Sequence, residues 1–350
     1  MTPEVALILG IDGLANGAVY LLAGLGLVLI FSVTRVVFVP FGDVAAFAAL
    51  SLAAFETGRV PATIGLVATL AVLALAVEIR SLVVRGESRR IPRAVLGWGV
   101  LPALPCLAAW AIAGRAAPGP VQVVVAVALV VPIIPLVARV ALQPIADASV
   151  LVLLIASLAL HYLLSGLGLL FFGPEGSRTA PLAGGAISLG GFSVSGQVLL
   201  MVGASLVLSG LFFLAFERTV AGKALRATAI NRVGARLVGI RPARTALLAY
   251  VAASLLAGLI GILVAPVTTM YYDSGFLIGL KAFVAAIIGG LVSYPLTAVG
   301  ALAVGIVESF ASFWSGALKD VIVFSLLIPV LLLRSFFSAH AEEEEEEIDE

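Results

Sequence analysis

Gly222-Lys-Ala-Leu-Arg-Ala-Thr-Ala-Ile-Asn-Arg-Val-Gly-Ala-Arg-Leu-Val-Gly-Ile240 separates two long apolar stretches, and its basic residues decide how the chain is organised. Lys223, Arg226, Arg232 and Arg236 would each cost about 2.5–3.5 kcal/mol at the centre of a bilayer, so this segment cannot cross one. Residues 198–216 before it and 246–265 after it are apolar and close to the roughly twenty residues that a helix needs to span a hydrocarbon core. The segment therefore lies on a membrane surface between two crossings, on the side where positive charge accumulates. A soluble partner could push on it there.

Composition agrees. Apolar residues make up 62% of the 350-residue chain and charged residues 11%, with a mean hydropathy of +1.20. No water-soluble domain hides that much apolar surface, so the expected class is all-α, a polytopic helical membrane protein. The net charge of zero conceals an asymmetry: eight of the twenty acids lie within 342–350, leaving 20 bases against 12 acids elsewhere. The acidic end 341–350 is expected to be disordered, because like charges repel and it has nothing to bury. The first apolar stretch follows no basic leader and no small-residue cleavage site, so it reads as a retained span.

Ten apolar stretches approach crossing length: 5–33, 41–55, 62–77, 94–113, 121–140, 150–172, 198–216, 246–265, 296–313 and 321–337. An eleventh, 276–290, is shorter, ends in Gly289-Gly290, and reads either as a crossing or as a re-entrant piece. Twelve of the twenty bases fall in two places, Arg80, Arg85, Arg89, Arg90 and Arg93 in one connection and seven between Arg218 and Arg244 in the other. Four spans separate the two, so both belong in the cytoplasm. The amino terminus and the loop 173–196 then face outward, and the side of the carboxyl terminus depends on 276–290.

Catalytic equipment is absent from the sequence. Two histidines, His161 and His340, and one cysteine, Cys106, give neither a zinc set nor a disulfide. No phosphate-binding or dinucleotide-binding glycine motif occurs, and Gly222-Lys223 lacks the upstream glycine and the following hydroxyl residue. No metal, cofactor or nucleic-acid partner is expected, and the chain is not read as an enzyme. Charges inside spans are functional candidates by default. Asp12, Asp43, Lys281 and Asp320 lie near expected span ends, where interfacial water suffices; Glu308 reads equally as pathway or packing residue. His161, alone in a long span, reads as hydrogen-bonded to a neighbouring helix.

Gly24, Gly26, Gly300 and Gly305 mark close helix packing. Gly289-Gly290-Leu-Val-Ser293-Tyr-Pro295 reads either as packing or as a discontinuous helix whose free backbone groups line a cavity. In the basic segment Leu225, Ala229, Val233, Leu237 and Ile240 fall on one helical stripe. Arg226 interrupts that stripe, and Gly234 is expected to split the helix.

Beside these readings stands a resemblance. Gly222-Lys-Ala-Leu-Arg-Ala-Thr-Ala-Ile-Asn231-Arg, followed by Ala235 and Gly239-Ile240, resembles the cytoplasmic coupling loop of branched-chain amino acid ABC transporter permeases. Asn16-Gly-Ala-Val-Tyr20-Leu-Leu-Ala-Gly-Leu-Gly26 is similar to their first span, and 150–174 to a central span. Ala282-Phe-Val-Ala-Ala-Ile-Ile-Gly289-Gly290-Leu-Val-Ser293-Tyr-Pro295, continuing through Gly300, Gly305 and Glu308, is similar to their late glycine-rich stretch. These blocks run in family order. The turn after the first span departs: where the family carries Asn-Phe-Ala-His-Gly-Glu, this chain has Phe38-Val-Pro-Phe-Gly42-Asp43. Residues about 80–120 look like an insertion adding two spans.

The resemblance implies a permease domain over 1–340, with its coupling loop at 217–244, in the cytoplasmic membrane of a prokaryote. It implies a second permease subunit or a homodimer, two cytoplasmic ATPase chains and an external solute-binding protein. Gly222, Leu225, Arg226, Ala227, Asn231, Arg232, Val233, Ala235, Leu237 and Gly239 would then meet the ATPase. Leu225, Val233 and Leu237 would fill its groove, and Arg226 and Arg232 would set the polar rim. Asn16, Tyr20, Asp43, Gly289, Gly290, Ser293 and Glu308 are the candidate pathway residues. Branched-chain or other hydrophobic amino acids are the leading cargo, ahead of urea, short amides or a sugar. An ion-coupled secondary transporter is the competing class; the sequence shows no paired mid-span charges to support it. Nor does any nucleophile or metal cluster support a membrane enzyme or scaffold.

Overall fold

A computed structural model describes residues 2–332 except 116, 147, 190 and 191. The described chain is helical apart from one antiparallel hairpin, β1 (Ala186–Leu189) and β2 (Phe192–Ser195). Backbone amides and carbonyls buried in lipid must be satisfied within the segment, which leaves the helix as the form open to such apolar runs. Among the described residues, eight helices are long and apolar enough to cross a membrane. They are α1 (Pro3–Thr34), α3 (Thr63–Val84), α4 (Ser88–Ile112), α5 (Gly119–Ile145), α6 (Val150–Phe172), α7 (Gly196–Arg218), α10 (Pro242–Val264) and α12 (Tyr294–Trp314). Shorter helices complete the chain: α2 (Phe41–Glu56), α8 (Val220–Ile230), α9 (Arg232–Leu237), α11 (Gly275–Ile288) and α13 (Lys319–Ser325).

Several starts are written in the sequence. Ser149, Ser195 and Ser293 accept hydrogen bonds from the N–H groups of Val152, Val198 and Leu296, capping α6, α7 and α12. Other boundaries differ from expectation. Helix α3 runs on to Val84, so Arg80 is helical and Arg93 already belongs to α4; the arginine-rich turn is shorter than the sequence suggested. The interval 80–120 holds one crossing, α4, rather than two. The stretch 321–337 begins as α13, turns at Leu326 and resumes helix to 332; its remainder, His340 and the acidic end lie outside the described residues.

Helix α2, expected as a short crossing, and α11, expected as a crossing or a re-entrant piece, both fall short of full crossing length. They span about 24 Å and 21 Å at 1.5 Å per residue, for 16 and 14 residues respectively. The backbone between α1 and α2 turns back into the protein: Val36 and Phe38 are buried, and the Val39 N–H donates to Ser157 Oγ at 2.8 Å in the middle of α6. Helix α2 therefore begins at mid-depth. It ends at Glu56, which accepts from the Ala180 N–H in the loop after α6. Helix α11 also begins at mid-depth, where Phe276 stacks on His161 at 4.5 Å. It runs the opposite way, to the end where Tyr294 meets Phe212 and Phe216 of α7. The two N-termini touch: a Cβ on Gly42 or Gly275 would collide with the other's backbone. The segment 276–290 thus completes a crossing that irregular backbone begins, instead of re-entering.

The core is a seam between α1 and α12. A Cβ on Gly13 would lie 2.7 Å from Ile306 Cα, one on Gly17 2.9 Å from Leu302 Cα, and one on Gly305 would strike the backbone of Gly17. Without a hydrophobic drive between helices in lipid, such close approach supplies the packing. Gly24 faces Thr297 and Gly26 faces Phe41, so the glycines singled out in α1 serve packing. Replacing Gly305 with Leu should overpack this seam by about 1–3 kcal/mol and lower the unfolding midpoint in detergent. Gly203→Leu, at an exposed glycine with no atom within 4 Å of its Cβ position, should leave it unchanged.

Candidate functional site

Most of the residues singled out by sequence fall in three sites. The first is the basic segment. Helix α8 starts at Thr219, whose hydroxyl accepts from the Gly222 N–H at 3.0 Å, and Gly222 fits where a Cβ would strike the Phe216 carbonyl. The break between α8 and α9 falls at Asn231, not Gly234. Asn231 is extended, and its Oδ1 accepts from the Gly234 N–H at 2.8 Å, so one residue ends α8 and caps α9. Gly234 lies inside α9. Gly239 closes α9 in the left-handed conformation (φ 85°), and Ile240 N–H returns to Ala235 O at 2.9 Å.

The stripe divides in two. Leu225 is turned inward, 5% exposed among Leu29, Val33, Phe216 and Ala249, and Ala235 is 3% exposed. Ala227 is half-buried, whereas Ile230, Val233, Leu237 and Val238 stand in the open. Leu225 is therefore an anchor to the membrane body and cannot fill an external groove in this conformation. The arginines expected at a rim are partly spent as well. Arg232 Nη2 donates to the Val33 carbonyl at 2.7 Å, satisfying an orphan acceptor at the end of α1. Arg226 pairs with Glu217 at 3.0 Å.

The second site is a buried charge network across α1, α11, α12 and α13. Glu308 Oε2 accepts from Tyr20 Oη at 2.5 Å and Oε1 from Lys281 Nζ at 2.5 Å; Lys281 Nζ lies 2.8 Å from Asp320 Oδ1, an ion pair without hydrogen-bond alignment. Tyr20, Lys281 and Glu308 are each at most 7% exposed. Paired mid-span charges, read as absent from the sequence, are thus present. Lys281 and Asp320, taken there for residues served by interfacial water, are members of the network. A second pair joins α2 to α6: Asp43 Oδ2 lies 2.7 Å from His161 Nδ1, both buried, at the meeting point of the α2 and α11 N-termini. The neighbouring-helix partner expected for His161 is this carboxylate.

The third site is a cavity of 390 Å³ beside the network, lined by Asp12, Asn16, Glu308, Ser309, Ser312 and Lys319 together with apolar side chains of α1, α7, α12 and the loop after α10. Of the candidate pathway residues, Asn16 and Glu308 line it and Tyr20 stands behind Glu308. Asp43 is separate, at the α2–α6 contact. Gly289, Gly290 and Ser293 form the tight α11–α12 turn, where a Cβ on Gly289 would meet Thr297; these lie at the end of the molecule that carries α8 and α9. Ser309, Ser312 and Lys319 were missed. The helical spacing of Glu308, Ser309 and Ser312 was a readable signal; Lys319, across an irregular turn, gave none.

The chain matches the family described as branched-chain amino acid transport system / permease component over residues 10–331. It is 33% identical over 208 residues to the high-affinity branched-chain amino acid transport system permease protein BraD of Pseudomonas aeruginosa. It is 32% identical over 206 residues to LivH of Escherichia coli K12, which carries the same description, and 31% over 209 to LivH of Salmonella typhimurium. In each case the match covers 56% of this chain and 66% of the relative. No solved structure matches.

Removing one member of a buried ion pair costs about 3–5 kcal/mol, because the other charge stays buried and unpaired. Lys281→Met should therefore destabilise strongly. Lys281→Met combined with Glu308→Gln should recover most of the loss, as read from detergent unfolding midpoints of the two single variants and the double.

Proposed function

The chain belongs to the branched-chain amino acid transport permease family, and from that premise we propose that it is the membrane-spanning subunit of an ATP-driven ABC importer. Its cargo would be branched-chain or other hydrophobic amino acids, with urea and short amides as the lesser candidates. It would work in the cytoplasmic membrane of a prokaryote, beside a second permease or a copy of itself. Two ATPase chains on the cytoplasmic face and an external solute-binding protein would complete the assembly.

One observation carries the reading: a pair of short helices fastened to the membrane body on one side and bare and apolar on the other. Leu225, Ala235 and the Arg232–Val33 bond tie α8 and α9 to α1, α7 and α10, while Ile230, Val233, Leu237 and Val238 face outward on a basic surface. An exposed apolar patch rimmed by charge marks an interaction site. An ATPase seated there would move α8 and α9 as a unit, and the buried anchors would pass the displacement to α1 and its seam with α12. Alternating access then needs no chemistry in this chain, only a two-state element that a partner biases. Helix α4 and its flanking turns are carried on this reading as an insertion at the periphery, since most of α4 faces outward.

A second reading has its own support. The Asp43–His161 and Glu308–Lys281–Asp320 groups are intramembrane titratable clusters of the kind that carry coupling ions. Ion coupling predicts uptake driven by an imposed gradient without ATP; the favoured reading predicts ATP-dependent uptake indifferent to ionophores. Proteoliposomes holding the assembled transporter decide between them, with radiolabelled leucine and urea run side by side to identify the cargo class.

Val233→Glu combined with Leu237→Glu should abolish co-purification of the ATPase chains and reduce uptake to background while the unfolding midpoint is kept. Ala235→Arg, which forces a charge into a buried position, should instead lower the midpoint. ATPase retention by the double variant would remove α8 and α9 from the coupling role.

A further inference from the structure

We propose that the cavity between α1, α7 and α12 recognises its cargo as a zwitterion, Asp12 taking an α-ammonium group and Lys319 an α-carboxylate. This rests on the transport reading above and adds the chemistry by which the pathway selects.

Two of the charged groups that line the cavity are unpaired. Glu308 lines it, yet both its oxygens are committed, one to Tyr20 and one to Lys281. Asp12 and Lys319 line the same space. Among the described residues neither makes a side-chain hydrogen bond or ion pair, with each other or with anything else. The cavity thus presents one free carboxylate and one free ammonium.

Asp12 is the tenth residue of α1, which starts at Pro3, about 14 Å along the helix at 1.5 Å per residue. It is exposed on the surface of this single chain. A bare carboxylate on an exposed face cannot sit against lipid tails without heavy cost, so that face looks onto water. Asn16 follows one turn later on the same side, and Ser309 and Ser312 face them from α12. A water-filled vestibule is where a hydrated cargo would travel.

The remaining wall fits the rest of such a molecule. Leu9, Val198, Met201, Val267 and Phe313 offer an apolar surface to an aliphatic side chain. The volume, 390 Å³, falls within the range of about 300–1,000 Å³ common to small-molecule sites. Urea or a sugar would leave two opposite charges unpaired in that space. An amino acid pairs both, and the sum stays neutral.

The test uses the reconstituted full transporter carrying Ser312→Cys as a reporter; the native cysteine, Cys106, is buried in another part of the chain. The rate of maleimide labelling is followed against rising leucine, 4-methylpentanoate, which lacks the ammonium, and 3-methylbutylamine, which lacks the carboxylate. Leucine should slow labelling, and each analogue should need at least tenfold more. Asp12→Asn should erase the preference of leucine over 4-methylpentanoate, and Lys319→Gln that over 3-methylbutylamine. Asp12→Glu and Lys319→Arg should restore them. If leucine gives no protection, or if both neutral variants keep the wild-type ranking, the assignment is overturned. ATP-driven uptake, measured on the same liposomes, reports separately on the transport reading, so the two can fail independently.

Discussion

Two helices that begin inside the protein meet end to end, and the rest of the architecture is arranged around that junction. Helix α2 starts at Phe41 and α11 at Gly275, each at mid-depth, and their first turns touch through Gly42 and Gly275. The bilayer tolerates irregular backbone only where protein covers it. Here the cover comes from α1 and α6: Thr34 and Ser157 hydroxyls accept the N–H groups of Val36 and Val39 in the returning segment. The Asp43–His161 contact closes the junction sideways. A carboxylate in the first turn of α2 sits at the favourable end of the helix dipole, which helps explain an acid so deeply buried.

The seam between α1 and α12 then links this junction to both ends of the molecule. Glycines bring the two backbones into contact at Gly13 and Gly17 of α1, and Gly24 meets the Thr297 side chain further along. The Tyr20–Glu308–Lys281–Asp320 network pins the same pair of helices to α11 and α13. Toward one end α1 finishes against Leu225 of α8 and Arg232 of α9; toward the other it carries Asp12 and Asn16 into the cavity. A force applied at α8 and α9 therefore meets a rigid, close-packed rod whose far half lines the proposed path. That arrangement suits work done remotely, because packed interfaces shift between discrete arrangements rather than deforming smoothly.

How far the sequence could be read depended on the range of the interaction. Long spans, their capping serines and the surface placement of Gly222–Ile240 follow from local hydropathy and from single residues, so they were legible. The division of that segment was misplaced at Gly234 because glycine is the usual helix breaker, while Asn231 both breaks and caps. Leu225 looked like a partner-facing residue because periodicity reports a stripe without saying which side of it the membrane body covers. Lys281, Glu308 and Asp320 looked like isolated charges because nothing in their spacing announces that three different helices will bring them together.

Composition, the alternation of apolar runs and the placement of arginines were enough to determine that this chain is a multispanning helical membrane protein with a basic surface segment between two of its spans. Each of those follows from the cost of putting charge or bare backbone into hydrocarbon, which a residue incurs wherever its neighbours fold. Pairing belongs to the tertiary structure. Which charges neutralise one another, which helices stop at mid-depth and which carboxylate is left free in the cavity depend on distances between helices remote in the chain, and only the assembled bundle sets those distances.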